Sequence, residues 1–446
     1  MKYSTQVKKT LSKAINYVSN NVGKFTNKPD TFIRKRKWTP EKIIRIMFSM
    51  DNHDLHSSIF SALSSQEKKE PFSVSGFIQQ RDKLTLNMFS FIFRTVLKSM
   101  TSYIKDHTFR GYHLLACDGS DFPLPTDCIP SASDAKPERK VQHRLLHENA
   151  LYDLLSQLYV TVTMEPKLQC NERNSLLHLA SSLEKDAPMY TPNKTIIICD
   201  RGYEGRNVCA GLIEMGYKFI IRAKSPKGCG ILYGCSLKLP EGSNLAAANI
   251  KLYCKKDYTG QYRACKSSID CRVLNLRVVM LRLANGDIEY LATNIFDPQI
   301  TLDDFKWAYH KRWGIETKYN DVKNKLEIEN FTGYSPDAIL QDFYATMFLA
   351  DLAGVLEYDL REEIEAAHIR PENRYTYKLN VAMTISELKR TVVEMLSTSS
   401  RLKRERLYAH MVVRLSKAVV PVRPDRSSDR LKKHKSLKFP SNVKRC

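Results

Sequence analysis

The chain has 446 residues, 43% hydrophobic and 10% aromatic, with a formal net charge of +22. That length and apolar content predict two to four domains with a real core and exclude a disordered chain. The charge is confined to the ends. Residues 1–50 balance at +10, residues 401–446 at +12, and residues 51–400 at zero. Such a distribution suits polyanion binding better than general solubility. Nucleic acid is the first candidate and an anionic membrane surface the second; the tail has no amphipathic face beside its charges, which favours nucleic acid.

In chain order, residues 1–30 carry Val7, Leu11, Ile15 and Val18 at helical spacing among lysines. The basic cluster Arg34, Lys35, Arg36 and Lys37 leads to a helix start with Thr39 as N-cap and Pro40 at the first position. A second helical pattern runs over 76–100 behind Ser73. Short basic helices ahead of any strand resemble a small DNA-binding module or a helical dimerisation subdomain. From Tyr112 strands begin: HLLAC, expected to end at Asp118 before a turn, then 144–154, 159–164 and TIIIC, ending at Asp200. Helices are expected over 172–185 and 204–216, the latter ending on Gly216, with a strand at 217–224. Strands alternating with helices indicate an α/β sheet with buried central strands.

Residues 226–300 read as an antiparallel β block with strands at 230–239, 250–256, 261–267, 271–283 and 288–295. A helix follows over 305–326, then a long apolar helix from 341 to 360, charged helices to 400 and the basic tail. Eleven cysteines are scattered without a CxxC pair, and the spacings Cys229–Cys235 and Cys265–Cys271 fit no usual zinc pattern, so all are expected as reduced thiols. No signal-peptide pattern and no run of about 18 apolar residues is found, so a cytosolic protein without a membrane partner is expected.

The 305–326 helix carries the candidate chemistry. On a helical projection Tyr309, Arg312, Glu316 and Lys323 fall within roughly 60° of one another. Ala308, Ile315, Val322 and Leu326 form an apolar stripe beside them, and Lys311, Lys318 and Lys325 take the opposite, solvent side. Gly314 costs about 1 kcal/mol relative to Ala in mid-helix, which implies close backbone approach, expected from the strand bearing Asp118 or Asp200. Spacing alone also suits an amphipathic helix with i,i+4 ion pairs such as Arg312–Glu316. Two strand-end aspartates, Asp118 and Asp200, alter the balance, because ligands collect at that edge of α/β sheets. With Glu316 they make an oxygen set for hard divalent ions.

These motifs resemble the DDE transposases of the insertion-sequence-four family of bacterial mobile elements. Tyr309, Arg312, Glu316 and Lys323 match its Tyr-Arg-Glu-Lys signature, and CDGSDFPLP around Asp118 and CDRGYEGRNVCAGLIEMGYKFIIRAK around Asp200 resemble its two Asp blocks. The separations of 82 residues from Asp118 to Asp200 and 116 from Asp200 to Glu316 leave room for the β block. The resemblance implies an RNase H-like α/β core interrupted by an antiparallel β insertion, with an N-terminal helical domain and a basic C-terminal tail. The corresponding domains are 1–105 (helical, DNA-binding), 106–225 (core, first part), 226–300 (β-stranded insertion), 301–400 (core, second part, with C-terminal helices) and 401–446 (tail).

It further implies that Asp118, Asp200 and Glu316 are catalytic and hold two Mg²⁺ ions, with Mn²⁺ as substitute. Tyr309, Arg312 and Lys323 would grip DNA phosphates, Arg201 and Tyr203 would act near the metals or the DNA, and Arg34 to Lys37 would touch DNA. The implied reaction is cleavage at the element ends by water, then 3′-hydroxyl attack on target DNA by a homodimer bound to double-stranded inverted repeats, in a bacterial cytoplasm and associated with the nucleoid. Some relatives use a Trp of the β insertion as a wedge. Here the three tryptophans are Trp38, Trp307 and Trp313, so a wedge in 226–300 would be Tyr or Phe. A non-catalytic DNA-binding protein on this fold and a nuclease without strand transfer stand as alternatives.

Overall fold

The computed structural model describes residues 3–28, 30–34, 37–50, 54–64, 66–124, 145–265, 271–326, 328, 330–333, 335–368, 375–398 and 400–423. Lys35, Arg36, the polar stretch at 126–142 and residues 424–446 of the basic tail lie outside the described residues. In chain order the elements are α1 (Tyr3–Asn20), α2 (Pro40–Met47), α3 (Leu55–Ala62), α4 (Val74–Arg81), α5 (Leu86–Ser99), α6 (Thr101–Asp106), β1 (His113–Pro123), β2 (Leu145–Asp153), β3 (Leu158–Pro166), α7 (Glu172–Asp186), β4 (Thr195–Cys199), α8 (Arg206–Glu214) and β5 (Lys218–Ala223). They continue as β6 (Leu245–Lys256), β7 (Tyr262–Ala264), β8 (Arg272–Arg282), β9 (Ile288–Thr293), α9 (Leu302–Lys311), α10 (Trp313–Asn324), α11 (Pro336–His368), β10 (Thr376–Leu379), α12 (Val381–Ser397), α13 (Arg401–Lys417) and β11 (Val419–Val422).

The chain forms two compact units, one of residues 101–122 and 145–317 and one of residues 1–100, 123–144 and 318–446. The first is built on a nine-stranded mixed sheet in the order β3-β2-β1-β4-β5-β9-β8-β6-β7. β1, β4 and β5 run parallel, and all five residues of β4 are buried, as expected of a continuous β-branched run in a central strand. The antiparallel strands β6 to β9 join the same sheet through β9 on β5. Leu114, Ile196, Ile198, Ile220, Val279 and Leu291 form a core against which Phe305 and Ala308 of α9 pack. Burying Phe305 completely contributes about 1.5–3 kcal/mol. α9 starts where Thr301 and Asp304 cap each other's backbone N–H groups.

The second unit is helical. Thr39 caps α2 by accepting from Lys42 N at 3.3 Å, with Pro40 at the first position. α11 is long and apolar enough to cross a membrane by length and composition, against the expectation of no such run. Its apolar window is 78% buried inside the protein, as in a core helix.

Several local expectations are corrected. The 76–100 pattern breaks at 82–85 into α4 and α5, because the backbone turns at Asp82 and Leu86 begins a new helix. Residues 230–239 form turns and no strand; Ile231 N donates to the buried Glu204 Oε1 at 2.7 Å, which pins this segment onto Glu204. β1 runs through Asp118 to Pro123, so Asp118 lies within a strand and no turn follows it. Cys265 and Cys271 form a disulfide, their Cα atoms 6.7 Å apart across the β7–β8 connection, while seven described cysteines are free. Lys318, expected on the solvent side, is buried, its amine donating to Ala350 O at 2.7 Å.

Candidate active site

The helix expected over 305–326 is two helices. At the junction Arg312 N donates to Tyr309 O at 3.1 Å and Ile315 N to Arg312 O at 3.2 Å, tighter i,i+3 bonds that end α9 and start α10. The apolar stripe is retained, with Ala308, Ile315, Val322 and Leu326 all buried. Gly314 does mark close approach, but to Leu154 just past β2: a Cβ at Gly314 would stand 3.1 Å from Leu154 Cδ2.

This junction sets Arg312 against two carboxylates. Its Nη2 donates to Glu316 Oε1 at 2.8 Å, and its Nη1 lies 3.9 Å from Asp118 Oδ2. The residue is only 6% exposed, and its Nε has no hydrogen-bond partner among the described residues. Burial works against the guanidinium charge, but Tyr309, Glu316 and Asp118 outweigh it and raise its pKa. Burial lifts the Asp118 carboxyl to about 6; Arg312 and the Gly119 amide pull it back, while the charges of Asp200 and Glu316 push it further up. The three carboxylates therefore share one electrostatic field. Asp200 follows β4 and accepts from Gly202 N at 2.7 Å, capping the short turn Arg201–Tyr203.

Other expected contacts have moved indoors. Tyr309 is buried, and burial raises its phenol to about 12. Tyr203 is 1% exposed and donates to Asn149 Oδ1 at 2.8 Å. Arg312 is likewise buried, so these three side chains, expected at DNA phosphates, lie inside the protein here. Arg201 and Arg34 are exposed, Lys37 donates to Glu70 O at 2.9 Å, and Lys323 is half-buried on α10 in the helical unit.

Sequence reasoning missed a second set of polar residues. His147 and Asn149 of β2 are almost wholly buried beside Gly119; a Cβ there would meet His147 Nε2 at 2.5 Å and Asn149 Oδ1 at 3.2 Å. His147 Nδ1 lies 2.5 Å from Asp121 Oδ1, and Lys167 Nζ is 3.0 Å from both. Glu172 opens α7 with its Oε1 3.4 Å from His147 Nε2. The signal was present as His147-Glu148-Asn149, three polar residues inside an otherwise apolar strand.

Among the described residues, no three His, Cys, Asp or Glu side chains converge closely enough to form a metal cage. A partly buried aspartate that feels the charges of two other carboxylates, with Arg312 offsetting them, nevertheless fits a hard cation that keeps its waters and needs no closed cage.

The family model of the transposase DDE domain matches residues 110–352, more than half of the chain. The chain belongs to that transposase family, whose members generally use divalent metal ions. No curated protein matches it. Among solved structures it is similar to a piggyBac transposase in a synaptic complex with hairpin DNA, with 9% identity, 96% of this chain and 87% of that chain covered, and a TM-score of 0.40.

Proposed function

We propose that this chain is a cut-and-paste DNA transposase of the insertion-sequence-four type, which binds the terminal inverted repeats of its element, hydrolyses the ends and joins the 3′-hydroxyls to target DNA. The observation that carries this reading is Arg312 set 3.9 Å from Asp118 and 2.8 Å from Glu316, with Asp118 and Asp200 each next to the residue pair Cys117 and Cys199 that aligns parallel β1 and β4. Asp118, Asp200 and Glu316 would hold two Mg²⁺ ions, with Mn²⁺ as substitute. When bound, such ions activate a water or 3′-hydroxyl and stabilise the leaving oxygen. Arg312 offsets the charges of Asp118 and Glu316, and Asp200 is held on its turn by the Gly202 amide. The buried Tyr309 packs against Arg312, whose guanidinium carbon is 5.8 Å from the ring centroid.

In this reading residues 106–225 and 301–400 form an RNase H-like core, 226–300 the β insertion, and residues 1–105 with the tail 401–446 the basic surfaces for DNA. Lys323, Arg201, Arg34 and Lys37 supply phosphate contacts. In the insertion Tyr258, 97% exposed, and Tyr233, 67% exposed, are aromatic residues able to stack on a flipped base. The protein acts as a homodimer in the bacterial cytoplasm, on the nucleoid. Glu316→Gln is expected to keep binding to end DNA while Mg²⁺-dependent nicking falls at least about a thousandfold. Nicking by this variant at the wild-type rate would overturn the assignment. Strand-transfer products from a pre-cut 3′-hydroxyl end separate a transposase from a nuclease that only cuts.

A further inference from the structure

The strands that join the sheet through β9 carry it beyond the helix that covers it. On one face of β8, Val279 and Leu281 pack with Phe305 and Ala308 of α9 in the core. That cover ends at Arg277, whose guanidinium carbon lies 5.4 Å from the Phe305 ring centroid. Side chains alternate between the faces of a strand, so Asn275 and Val273 continue this face outward. Their partners across the ladder are Lys251 and Tyr253 of β6, and Lys255 follows opposite Arg263 of β7. The other face is turned toward α8: Leu252, Cys254, Leu274 and Leu276 are buried there, and Arg272 and Tyr262 both reach Glu214. The first face stays open. Tyr253 is 38% exposed and its neighbour Val273 39%, with Lys251 and Lys255 exposed on either side along β6. Among the described residues neither lysine makes an ion pair, whereas Arg263 pairs with Asp257.

Lysines on an edge strand hinder pairing with another chain, which accounts for the cations alone. It does not account for an aromatic ring left in solvent between them, on strands with no acidic residue from Asn249 to Lys255 or from Val273 to Arg277. Phosphates held by Lys251 and Lys255 would stand about 13 Å apart along β6, leaving a base between them to lie on the Tyr253 ring. A duplex keeps its bases stacked inside, so the combination suits a strand whose bases are free. We propose that the open face of β6 and β8, centred on Tyr253, binds unpaired DNA, with Lys251 and Lys255 on phosphates and Tyr253 stacked on a base. The proposal rests on the reading of the chain as a DNA transposase and names the form of DNA that this face takes.

The test is binding of the full-length chain to a fluorescein-labelled thymidine oligonucleotide and to a duplex of the element end, followed by anisotropy over a range of salt. Tyr253→Ala is expected to weaken oligonucleotide binding at least about fivefold, the loss of one base stack, while Tyr253→Phe stays within about twofold of wild type. Lys251→Gln combined with Lys255→Gln is expected to lower the slope of log affinity against log salt by about 1.4, the share of two phosphate contacts on a single strand. Duplex binding by all of these variants is expected to stay unchanged. An iodinated deoxyuridine placed in the oligonucleotide is expected to crosslink to Tyr253 under ultraviolet light. If Tyr253→Ala and the lysine pair match wild type in affinity and slope, or lose oligonucleotide and duplex binding equally, this inference fails alone. It also fails alone if the wild-type chain binds the duplex and not the oligonucleotide. If the wild-type chain binds neither, the reading as a DNA transposase fails with it.

Discussion

Arg81 and Arg312 are both buried arginines facing carboxylates, one in each compact unit, and their surroundings differ. Arg81 is 1% exposed and has a partner for every nitrogen: Nε donates to Gln341 Oε1 at 2.9 Å, Nη1 to Thr332 Oγ1, and Nη2 to Ala338 O at 2.5 Å and Asp342 Oδ1 at 2.9 Å. Thr332 in turn donates its amide to Asp342 Oδ2 at 2.8 Å. Arg312 has one close carboxylate, a second at 3.9 Å and a buried Nε with no partner among the described residues. A buried cation with every donor satisfied belongs to the fold; one with an unsatisfied donor, beside carboxylates that repel one another, marks a site able to take a further cation.

The largest expected effect breaks the satisfied network. Arg81→Met leaves the largely covered Asp342 without its cation and is expected to cost about 3–5 kcal/mol in urea unfolding, with no change in metal affinity for whatever protein remains folded. A cost below about 1 kcal/mol would show that the network is incidental.

Asp118→Asn should act in the opposite direction. The folded carboxyl sits at about 6, above its reference of 3.8, so the folded state holds its proton more tightly than the unfolded chain. That contribution is complete below pH 4 and lost as pH rises through 6, leaving an ionised, poorly solvated carboxylate at neutral pH. Removing it is expected to stabilise the metal-free protein by about 2 kcal/mol at pH 7.5 and by nothing below pH 4, while abolishing nicking. Urea unfolding at the two pH values in the presence of a chelator measures this.

The smallest effect sharpens the contrast. Arg312→Met removes the charge between the carboxylates and is expected to cost about 1 kcal/mol at pH 8 and less at pH 5, where Asp118 carries a proton. Millimolar Mg²⁺ is expected to restore the loss for this variant and to leave Arg81→Met unchanged.

The chemistry was more legible in the chain than its geometry. The spacing of Tyr309, Arg312, Glu316 and Lys323, and the apolar runs ahead of Asp118 and Asp200, pointed to the candidate site because the proposed chemistry needs particular residue types at particular places on an element. The segment through Phe305–Leu326 misled in one respect, since nothing local announces the i,i+3 hydrogen bonds that divide it at Arg312. Lys318 misled in another: projection placed it in solvent, while packing of α10 with α11 buried it against Ala350. Glu172 and His147 were passed over because they lie far from each aspartate along the chain and come near only when β2 and α7 flank β1 and β4.

What the sequence determined by itself follows from local physics: strand and helix periods, caps such as Thr39 and Gly216, the charge at both ends and the residue types of the site. Only the tertiary structure decided which charges are satisfied. Arg81 and Arg312 are alike as letters in a sequence, and burial, a property of all the neighbours together, made one a strut and left the other among unbalanced carboxylates.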